Sequence, residues 1–242
     1  MTQNIYDRPD FFQGYSALPR SVLGLSGAPE WPAILELLPK LEQKHVIDLG
    51  CGFGWFCRWA AEKGAAQVLG LDLSQNMLER ARAETSNPTI RYQRADLNAL
   101  DLPARLFDLA YSSLAFHYVE DFPRLAKTIH AALAPGGDLV FSIEHPIFMT
   151  SQHAVWIANA NGERCWPVDH YAEEGQRRTD WLAEGVIKYH RRLATTINTL
   201  IDTGFSLRRL VEWAPDTAQL QALPELADEI HRPMIAIIAA TR

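Results

Sequence analysis

The sequence is poor in cysteine, has no excess of basic residues and contains no long apolar run. Its three cysteines, Cys51, Cys57 and Cys165, show no CxxC spacing, which favours free thiols in a reducing compartment over a disulfide or zinc framework. The 23 basic and 29 acidic residues give a net charge of -6, which argues against nucleic acid as a partner. No apolar stretch approaches the ~20 residues of a membrane-spanning helix, and the amino terminus lacks signal-peptide features. We therefore expect a cytoplasmic protein with no membrane partner and no metal site.

What is present is an ordinary globular composition and a repeating pattern of elements. Hydrophobic residues make up 48% of the 242-residue chain, which predicts one large domain over residues 1–242. From residue 45 onwards, short apolar runs alternate with helical periods. The apolar runs, each predicted to be a strand, cover residues 45–49, 67–71, 90–93, 107–112, 138–143, 205–213 and 234–241. The helical periods cover residues 55–63, 75–84, 121–132 and 190–203.

This alternation predicts the class and the connectivity of the fold. Strands that alternate with helices form a parallel sheet with helices on both faces, a doubly wound α/β fold. The segment between the last two apolar runs is too short for a comfortable crossover helix, so the last pair of strands is predicted to be antiparallel. The turn Pro135-Gly136-Gly137 is expected to separate the helix over 121–132 from the fifth strand.

Residues 145–190 follow neither period. The stretch is rich in Trp, His, Tyr, Glu and Arg and is too long for an idle connection, which favours a lid or binding insertion after the fifth strand. Trp156, Trp166 and Trp181 would be unfavourable in water unless they cover something. A dimer interface would bury the same side chains and remains the alternative.

Glycines at alternate positions follow the first predicted strand. Gly50, Gly52 and Gly54 lie between this strand and a helix, where backbone without Cβ lets a ligand approach closely. The spacing is G-x-G-x-G, and Trp55 stands at the position where the dinucleotide motif G-x-G-x-x-G has its third glycine. The loop therefore predicts a cofactor site and disfavours a nicotinamide dinucleotide.

Two acidic residues follow the next two strands. Asp72 ends the second strand, where its carboxylate can accept hydrogen bonds from both hydroxyls of a ribose. Asp96 follows the third strand and is placed to bond the exocyclic amine of adenine. Each has a structural alternative, a helix N-terminal acid for Asp72 and a cap of the following turn for Asp96. Together with the glycine loop, the two acids predict an adenosine ligand.

These motifs resemble, in order, those of the class I S-adenosylmethionine-dependent methyltransferases. The resemblance covers residues 44–144 and is carried by Asp48-Leu49-Gly50-Cys51-Gly52-Phe53-Gly54, Asp72, Ala95-Asp96-Leu97, Phe107-Asp108 and Leu133-Ala134-Pro135-Gly136-Gly137. It implies a Rossmann-like sheet of seven strands whose last strand inserts antiparallel. It also implies S-adenosylmethionine as the cofactor, with S-adenosylhomocysteine as the product. The stretch from Ser113 to Asp121 is similar to that of bacterial small-molecule methyltransferases.

The same resemblance implies where the cofactor is held. The glycine loop passes its methionine part, and Asp48 organises the methionyl end. Met77, with Leu73 and Leu97, is expected to enclose the adenine ring. An N-terminal segment, residues 1–40, is expected to fold over the cofactor, although surface packing is the alternative for its side chains. The full set expected to contact the cofactor is Tyr15, Arg20, Asp48, Gly50, Cys51, Gly52, Gly54, Asp72, Leu73, Met77, Asp96, Leu97 and Ser113.

The implied reaction is methyl transfer to an oxygen or nitrogen of a small-molecule metabolite. It requires orientation at about 3–3.5 Å and exclusion of water, plus a base where the acceptor is a hydroxyl. Trp166, Tyr171 or Trp181 of the insertion is expected to face the methyl donor. A nicotinamide-dependent oxidoreductase and a non-catalytic S-adenosylmethionine-binding regulator remain alternatives, as does a homodimer. The candidate bases are His117, for which packing beneath the cofactor is an equal alternative, and Glu144, His145 and His190.

Overall fold

A computed structural model of the chain describes residues 2–151 and 155–242. The strands within these residues are β1 (His45–Leu49), β2 (Gln67–Asp72), β3 (Ile90–Arg94), β4 (Phe107–Ser113), β5 (Leu133–Glu144), β6 (Ile157–Ala158), β7 (Arg164–Cys165), β8 (Gly175–Trp181), β9 (Ala183–His190), β10 (Ser206–Trp213) and β11 (Ile235–Thr241). Seven of them form one sheet in the order β10-β11-β5-β4-β1-β2-β3.

The sheet confirms the predicted α/β class and its antiparallel end. Strands β1 to β5 pair in parallel, whereas β11 lies antiparallel between β5 and β10. The strand order reverses on the two sides of β1, which pairs with β2 on one side and with β4 on the other. Open parallel sheets bind their ligands at the carboxyl ends of the strands beside such a reversal.

The helices cover both faces of this sheet. In chain order they are α1 (Pro9–Ser16), α2 (Pro19–Val22), α3 (Trp31–Leu35), α4 (Trp55–Glu62), α5 (Gln75–Ala83), α6 (Phe122–Ala132), α7 (Pro146–Met149), α8 (Leu193–Thr203) and α9 (Thr217–Ala222). The Ser74 hydroxyl caps α5 by accepting a hydrogen bond from the Met77 amide at 3.1 Å, and Gly204, at φ +106°, ends α8. No helix in the described ranges is long and apolar enough to cross a membrane.

Strand β11 shows how the sheet is stabilised. Its even-numbered side chains, such as Ile238, pack into the apolar cluster beneath α6, and its odd-numbered ones, such as Ile237, pack into the cluster beneath α3 and α4. Ile237 and Ile238 are both fully buried. Because each buried isoleucine contributes about 1.5–3 kcal/mol, a strand buried on both faces holds the two layers together.

Two predicted boundaries are wrong. Strand β5 begins at Leu133, so the predicted turn at Pro135-Gly136-Gly137 lies inside it as an irregularity, with Gly136 at φ +77°. Helix α8 begins at Leu193 instead of residue 190, because residues 183–190 belong to a hairpin. In both places a strand pairing determines the backbone, which local propensity cannot reveal.

In its described residues, the insertion after β5 consists of the short helix α7 followed by two hairpins. After α7 it contains the short pair β6 and β7 and the longer antiparallel pair β8 and β9, while residues 152–154 of the predicted insertion lie outside the described residues. The N-terminal segment is hydrogen-bonded to this longer hairpin. The Gln3 side chain donates to the Gly185 carbonyl and accepts from the Ile187 amide, both at 2.9 Å.

Candidate functional site

A cavity of about 760 Å³ opens at the carboxyl ends of the parallel strands. This volume lies within the roughly 300–1,000 Å³ range of small-molecule sites. The ends of β1, β2, β4 and β5 form its floor, the N-terminal segment forms one wall and the β8–β9 hairpin forms another. Its position therefore agrees with the strand-order reversal described above.

The glycine loop presents open backbone to this cavity. Gly50 and Gly52 line it with positive φ angles of 85° and 52°, which L side chains rarely adopt. A Cβ placed on Gly52 would meet no atom within 4 Å, so the space beside that residue is free for a ligand. Gly54 differs, because it does not line the cavity and a Cβ there would collide with the phenol of Tyr92. The assignment of Gly54 to the cofactor is therefore corrected: this glycine serves helix-to-strand packing.

Asp72 links the glycine loop to the end of β2. Its carboxylate accepts hydrogen bonds from the amides of Gly52 and Ser74, both at 2.9 Å, and it lines the cavity. Burial raises the pKa of Asp72, although these two amides oppose the shift. An ionised carboxylate offers about four lone-pair sites, so oxygen lone pairs remain for ribose hydroxyls.

Asp96 takes the capping role weighed from the sequence and also lies in the cavity wall. Its carboxylate accepts a hydrogen bond from the Asn98 amide at 2.9 Å and so caps the 3-10 turn Leu97–Ala99. Asp96 and Leu97 also line the cavity. The capping bond therefore fixes the Asp96 carboxylate at the cavity, and its contact with adenine stays a prediction.

Asp48 is a buried carboxylate on the cavity floor. It is 2% exposed, and the Cys57 thiol donates to its Oδ2 at 3.3 Å. Burial raises the pKa of Asp48 to about 7, and the Cys57 bond opposes this shift. A cationic ligand group beside Asp48 would stabilise its ionised form. Burial also raises the pKa of Cys51 to about 11, so this cavity-lining thiol is a spacer and not a nucleophile.

The remaining cofactor candidates also lie in the cavity wall. Arg20 pairs with the fully buried Glu30 at 3.0 Å, which fixes the guanidinium within the N-terminal wall. Met77 is 1% exposed, yet its thioether side chain lines the cavity, where it can contact a ring. The cavity-lining members of this group are Tyr15, Arg20, Leu73, Met77, Leu97 and Ser113. The open backbone at Gly52, the ribose acceptor at Asp72 and the acid at Asp48 fit an adenosine ligand with a charged amino-acid end.

A buried charge cluster lies at the end of β5. Lys188 of β9 donates to Oε1 of Glu144 at 2.5 Å, and Nε2 of His117 lies 4.0 Å from the same oxygen. Burial lowers the pKa of His117 to about 4, so its ring is neutral at pH 7. Burial acts to raise the pKa of Glu144, but opposite charge outweighs it and holds that pKa below its ordinary value. His117 contributes to this effect only when its ring is protonated, whereas Lys188 contributes through both its charge and its hydrogen bond. All three side chains line the cavity.

The other two candidate bases lie outside the cavity wall, and we withdraw them. Nδ1 of His145 accepts a hydrogen bond from the Ile147 amide at 3.1 Å, and its Nε2 lies 2.8 Å from the Glu212 carboxylate. Nε2 of His190 lies 2.9 Å from the Tyr171 carbonyl. The strand end at Glu144 points one side chain at the cavity, so its neighbour His145 points away.

Some aromatic side chains of the insertion line the cavity and others lie outside it. Trp181 lines the cavity and packs edge-on against Phe11 of α1, with ring centroids 5.5 Å apart. Trp166 lines the cavity beside Arg232. Arg232 was not among the site residues predicted from the sequence. Tyr171 packs on His190 outside the cavity wall, so only Trp166 and Trp181 of the three aromatic candidates are placed to face a methyl donor.

Comparison with known proteins agrees with this geometry. A protein-family model described as a methyltransferase domain matches residues 47–141. A crystallised S-adenosylmethionine-dependent methyltransferase from Mesorhizobium loti is 56% identical, with a TM-score of 0.88 over 90% of this chain and 100% of that one. An uncharacterized protein of Haemophilus influenzae is 38% identical over 99% of this chain and 97% of its own length. A malonyl-[acyl-carrier protein] O-methyltransferase of Pseudescherichia vulneris is 35% identical over 50% of this chain and 49% of its own.

Proposed function

Because the chain belongs to the class I S-adenosylmethionine-dependent methyltransferases and uses S-adenosylmethionine, we propose that it methylates an oxygen or nitrogen of a small-molecule metabolite. Membership of an enzyme family with this cofactor sets aside the nicotinamide-dependent oxidoreductase and the non-catalytic regulator. The observation that carries the proposal is the buried cluster of Glu144, Lys188 and His117 on the wall of the cavity.

The enclosure of the cavity supports a small acceptor. The N-terminal segment and the β8–β9 hairpin wall the space in front of Glu144, with Tyr6 and Tyr118 in contact at 3.3 Å between their hydroxyls. The net charge of -6 favours a small molecule over nucleic acid. We further propose that residues 1–242 form one methyltransferase domain, with residues 1–40 covering the cofactor and the insertion at 145–190 acting as a lid.

Glu144 is the proposed base. The Glu144 amide donates to Nδ1 of His117 at 3.3 Å, which places the proton of the neutral ring on Nε2. His117 therefore presents a hydrogen-bond donor and has no free lone pair for an incoming proton. The Glu144 carboxylate is ionised beside Lys188 and is placed to accept the proton that the acceptor loses.

The bound cofactor supplies a methyl group that its sulfonium already activates. The protein orients the acceptor atom in line with that group and excludes water from the reacting atoms. Trp181 and Tyr118 in the cavity wall serve the exclusion of water. Lys188 fixes the carboxylate of Glu144 so that no rearrangement is needed when the proton moves.

Labelling identifies the acceptor and tests the proposal. The enzyme is incubated with methyl-labelled S-adenosylmethionine and the small-molecule fraction of a cell extract, and labelled products are located by mass spectrometry. We expect label on oxygen or nitrogen of a small product, and Glu144→Gln to slow its formation by about 10²–10⁴-fold without weakening cofactor binding. Glu62→Gln, an exposed change on α4, is the matched control. Label found only on protein or RNA, or on carbon, would refute the proposal.

A further inference from the structure

Arg232 is a buried cation at one end of the cavity. It precedes β11, is 8% exposed and lines the cavity wall. Its guanidinium carbon lies over three aromatic rings, 4.2 Å from the centroid of Trp166, 4.5 Å from that of Phe148 and 5.3 Å from that of Trp156. The rings stabilise the positive charge but offer no oxygen or nitrogen acceptor to its N–H groups.

Most of the donors of Arg232 have no acceptor. Nη2 donates to Oε1 of Glu229 at 3.3 Å, whereas Nε and Nη1 are buried without a partner in the part of the chain that the structure describes. Buried N–H groups of a permanent cation are costly to leave unmade and are rare in folded proteins. Their presence in a cavity wall indicates that a ligand oxygen completes the site.

The surrounding charges disfavour a ligand that carries two negative charges. Glu229 already faces Arg232, and Asp228 is paired with Arg164 at 3.1 Å. Burial raises the pKa of Glu229 against the opposing charge of Arg232. The two arginines and the two carboxylates balance in charge, and what remains open is the set of unpaired N–H groups of Arg232. A monoanion would fill these groups at the cost of one added negative charge, whereas a dianion would bring two negative charges towards two carboxylates.

We propose that Arg232 binds the carboxylate of the methyl acceptor, a claim that rests on the proposed small-molecule methyl transfer. The acceptor would then be a small organic acid with an apolar or aromatic body. Trp166 is held by a hydrogen bond from its Nε1 to the Ile147 carbonyl at 3.0 Å, and its ring is parallel to that of Phe148 within 3°. Such fixed aromatic faces suit a flat substrate body beside the cation.

The carboxylate site and the proposed base lie on the same edge of the sheet. The chain runs from Arg232 into β11, where Ile235 pairs with Glu144 in the register of the sheet. The Met234 carbonyl also accepts a hydrogen bond from the His145 amide at 2.8 Å. One acceptor molecule can therefore be held by its carboxylate at Arg232 while another of its groups faces Glu144.

Equilibrium binding to the enzyme saturated with S-adenosylhomocysteine tests this site without methyl transfer. The probes are acid and amide pairs of one shape, benzoate with benzamide and phenylacetate with phenylacetamide, measured by calorimetry. We expect each acid to bind at least about tenfold more tightly than its amide, since a hydrogen bond to a charged group discriminates at this level. Arg232→Gln is expected to abolish the preference. Arg178→Gln, an exposed change on β8, should keep it.

A second variant guards against a folding defect. Affinity for S-adenosylhomocysteine and Tm report whether Arg232→Gln is intact. If Arg232→Gln is not folded, Arg232→Lys serves as the test variant, because it keeps the charge with a single nitrogen and should weaken acid binding at least about fivefold.

Equal affinities for acid and amide in the unchanged enzyme, or an acid preference that survives both variants, would overturn the proposal. Tighter binding of phenylphosphonate than of benzoate would contradict a monoanion. Failure of methyl transfer alone would leave these affinities unchanged and would count against the proposed function instead.

Discussion

The ammonium of Lys188 on β9 lies 2.5 Å from Oε1 of Glu144 at the end of β5. The ion pair joins the inserted hairpin to the central sheet, and both side chains are largely buried, with 4% and 15% of their surface exposed. Breaking a buried ion pair leaves one charge without compensation, which costs more than the net stabilisation by the pair. The same contact therefore matters for stability and for the proposed base.

We expect Lys188→Met to lower the free energy of unfolding by about 3 kcal/mol, because Glu144 is left buried and unpaired. The double variant Lys188→Met/Glu144→Gln should recover part of that loss, since the uncompensated charge is gone. Urea unfolding of the two single variants and the double variant gives the coupling free energy. Arg192→Met, which breaks the more exposed pair with Glu174, is the control and should cost less than about 1 kcal/mol. Additive effects of Lys188→Met and Glu144→Gln would show that the two side chains do not interact.

The sequence predicted one member of this pair and missed the other. Glu144 follows a buried strand at the carboxyl edge of a parallel sheet, where functional side chains are expected. Lys188 lies in a stretch without helical period, where a lysine is ordinarily solvated. The signal was the alternation of Val186, Lys188 and His190, which places all three on the buried face of β9. Only the position of the hairpin over the sheet reveals that Lys188, alone among these three, reaches the cavity and Glu144.

Gly52 and Gly136 offer a matched test of the cofactor site. Both have positive φ angles, 52° and 77°, and a Cβ on either would meet no atom within 4 Å. Gly52→Ala and Gly136→Ala should therefore each cost about 1–2 kcal/mol of stability through backbone strain. Gly52→Ala alone is expected to weaken S-adenosylmethionine binding, by tenfold or more, because only Gly52 lines the cavity. Calorimetric titration with S-adenosylmethionine compares the affinities of the two variants. Equal affinities would mean that the cofactor does not approach the loop at Gly52.

The glycine motif illustrates how far spacing alone can be taken. Three alternate glycines predicted a single cofactor-binding loop. Gly54, however, faces Tyr92 of the third strand and not the cavity. Contact with a strand 38 residues away depends on the packing of α4 against the sheet, so local sequence could not supply it. Similarly, the missed Arg232 sits between the predicted strands, next to Pro233, where no periodic pattern assigns it a direction.

Asp48 should make cofactor binding depend on pH. Burial holds its pKa near 7 in the free protein, so the carboxyl is largely protonated below that pH. We propose that the cationic methionyl end favours the ionised form, and binding then releases a proton. S-adenosylmethionine affinity should rise between pH 5.5 and 7 and level off above about pH 7.5. Asp48→Asn should flatten this profile, while Asp101→Asn, at a carboxylate that is 95% exposed, should leave it intact. A pH-independent affinity in the parent protein would contradict the prediction.

The same carboxyl affects the stability of the free protein. In the unfolded chain Asp48 ionises near its ordinary pKa of 3.8, whereas in the fold it holds its proton up to about pH 7. The unfolded state therefore binds fewer protons between these values, and stability falls as pH rises from 4 to 7, by an amount on the order of 4 kcal/mol. His117 acts in the opposite direction, because its lowered pKa removes stability as pH falls from 6.5 towards 4. The difference in unfolding free energy between the parent and Asp48→Asn isolates the contribution of Asp48, and a difference that is constant with pH would refute it.

The β8–β9 hairpin is expected to respond to ligand as a lid. Trp181 at its tip is 36% exposed, lines the cavity and contacts Phe11 and Tyr15 of α1 only by ring edges, at 5.5 and 6.4 Å. A bound cofactor would give this partly exposed ring a further surface, so amides at residues 175–190 should exchange more slowly when S-adenosylhomocysteine is added. The edge strand β10, at the far end of the sheet, serves as the internal control and should not change. Trp181→Ala should reduce the protection that S-adenosylhomocysteine gives to these amides.

Hydrogen exchange is measured over a range of protein concentrations, because a dimer interface would bury the same side chains. Protection that follows concentration and ignores ligand would show that the hairpin joins two chains and is not a lid.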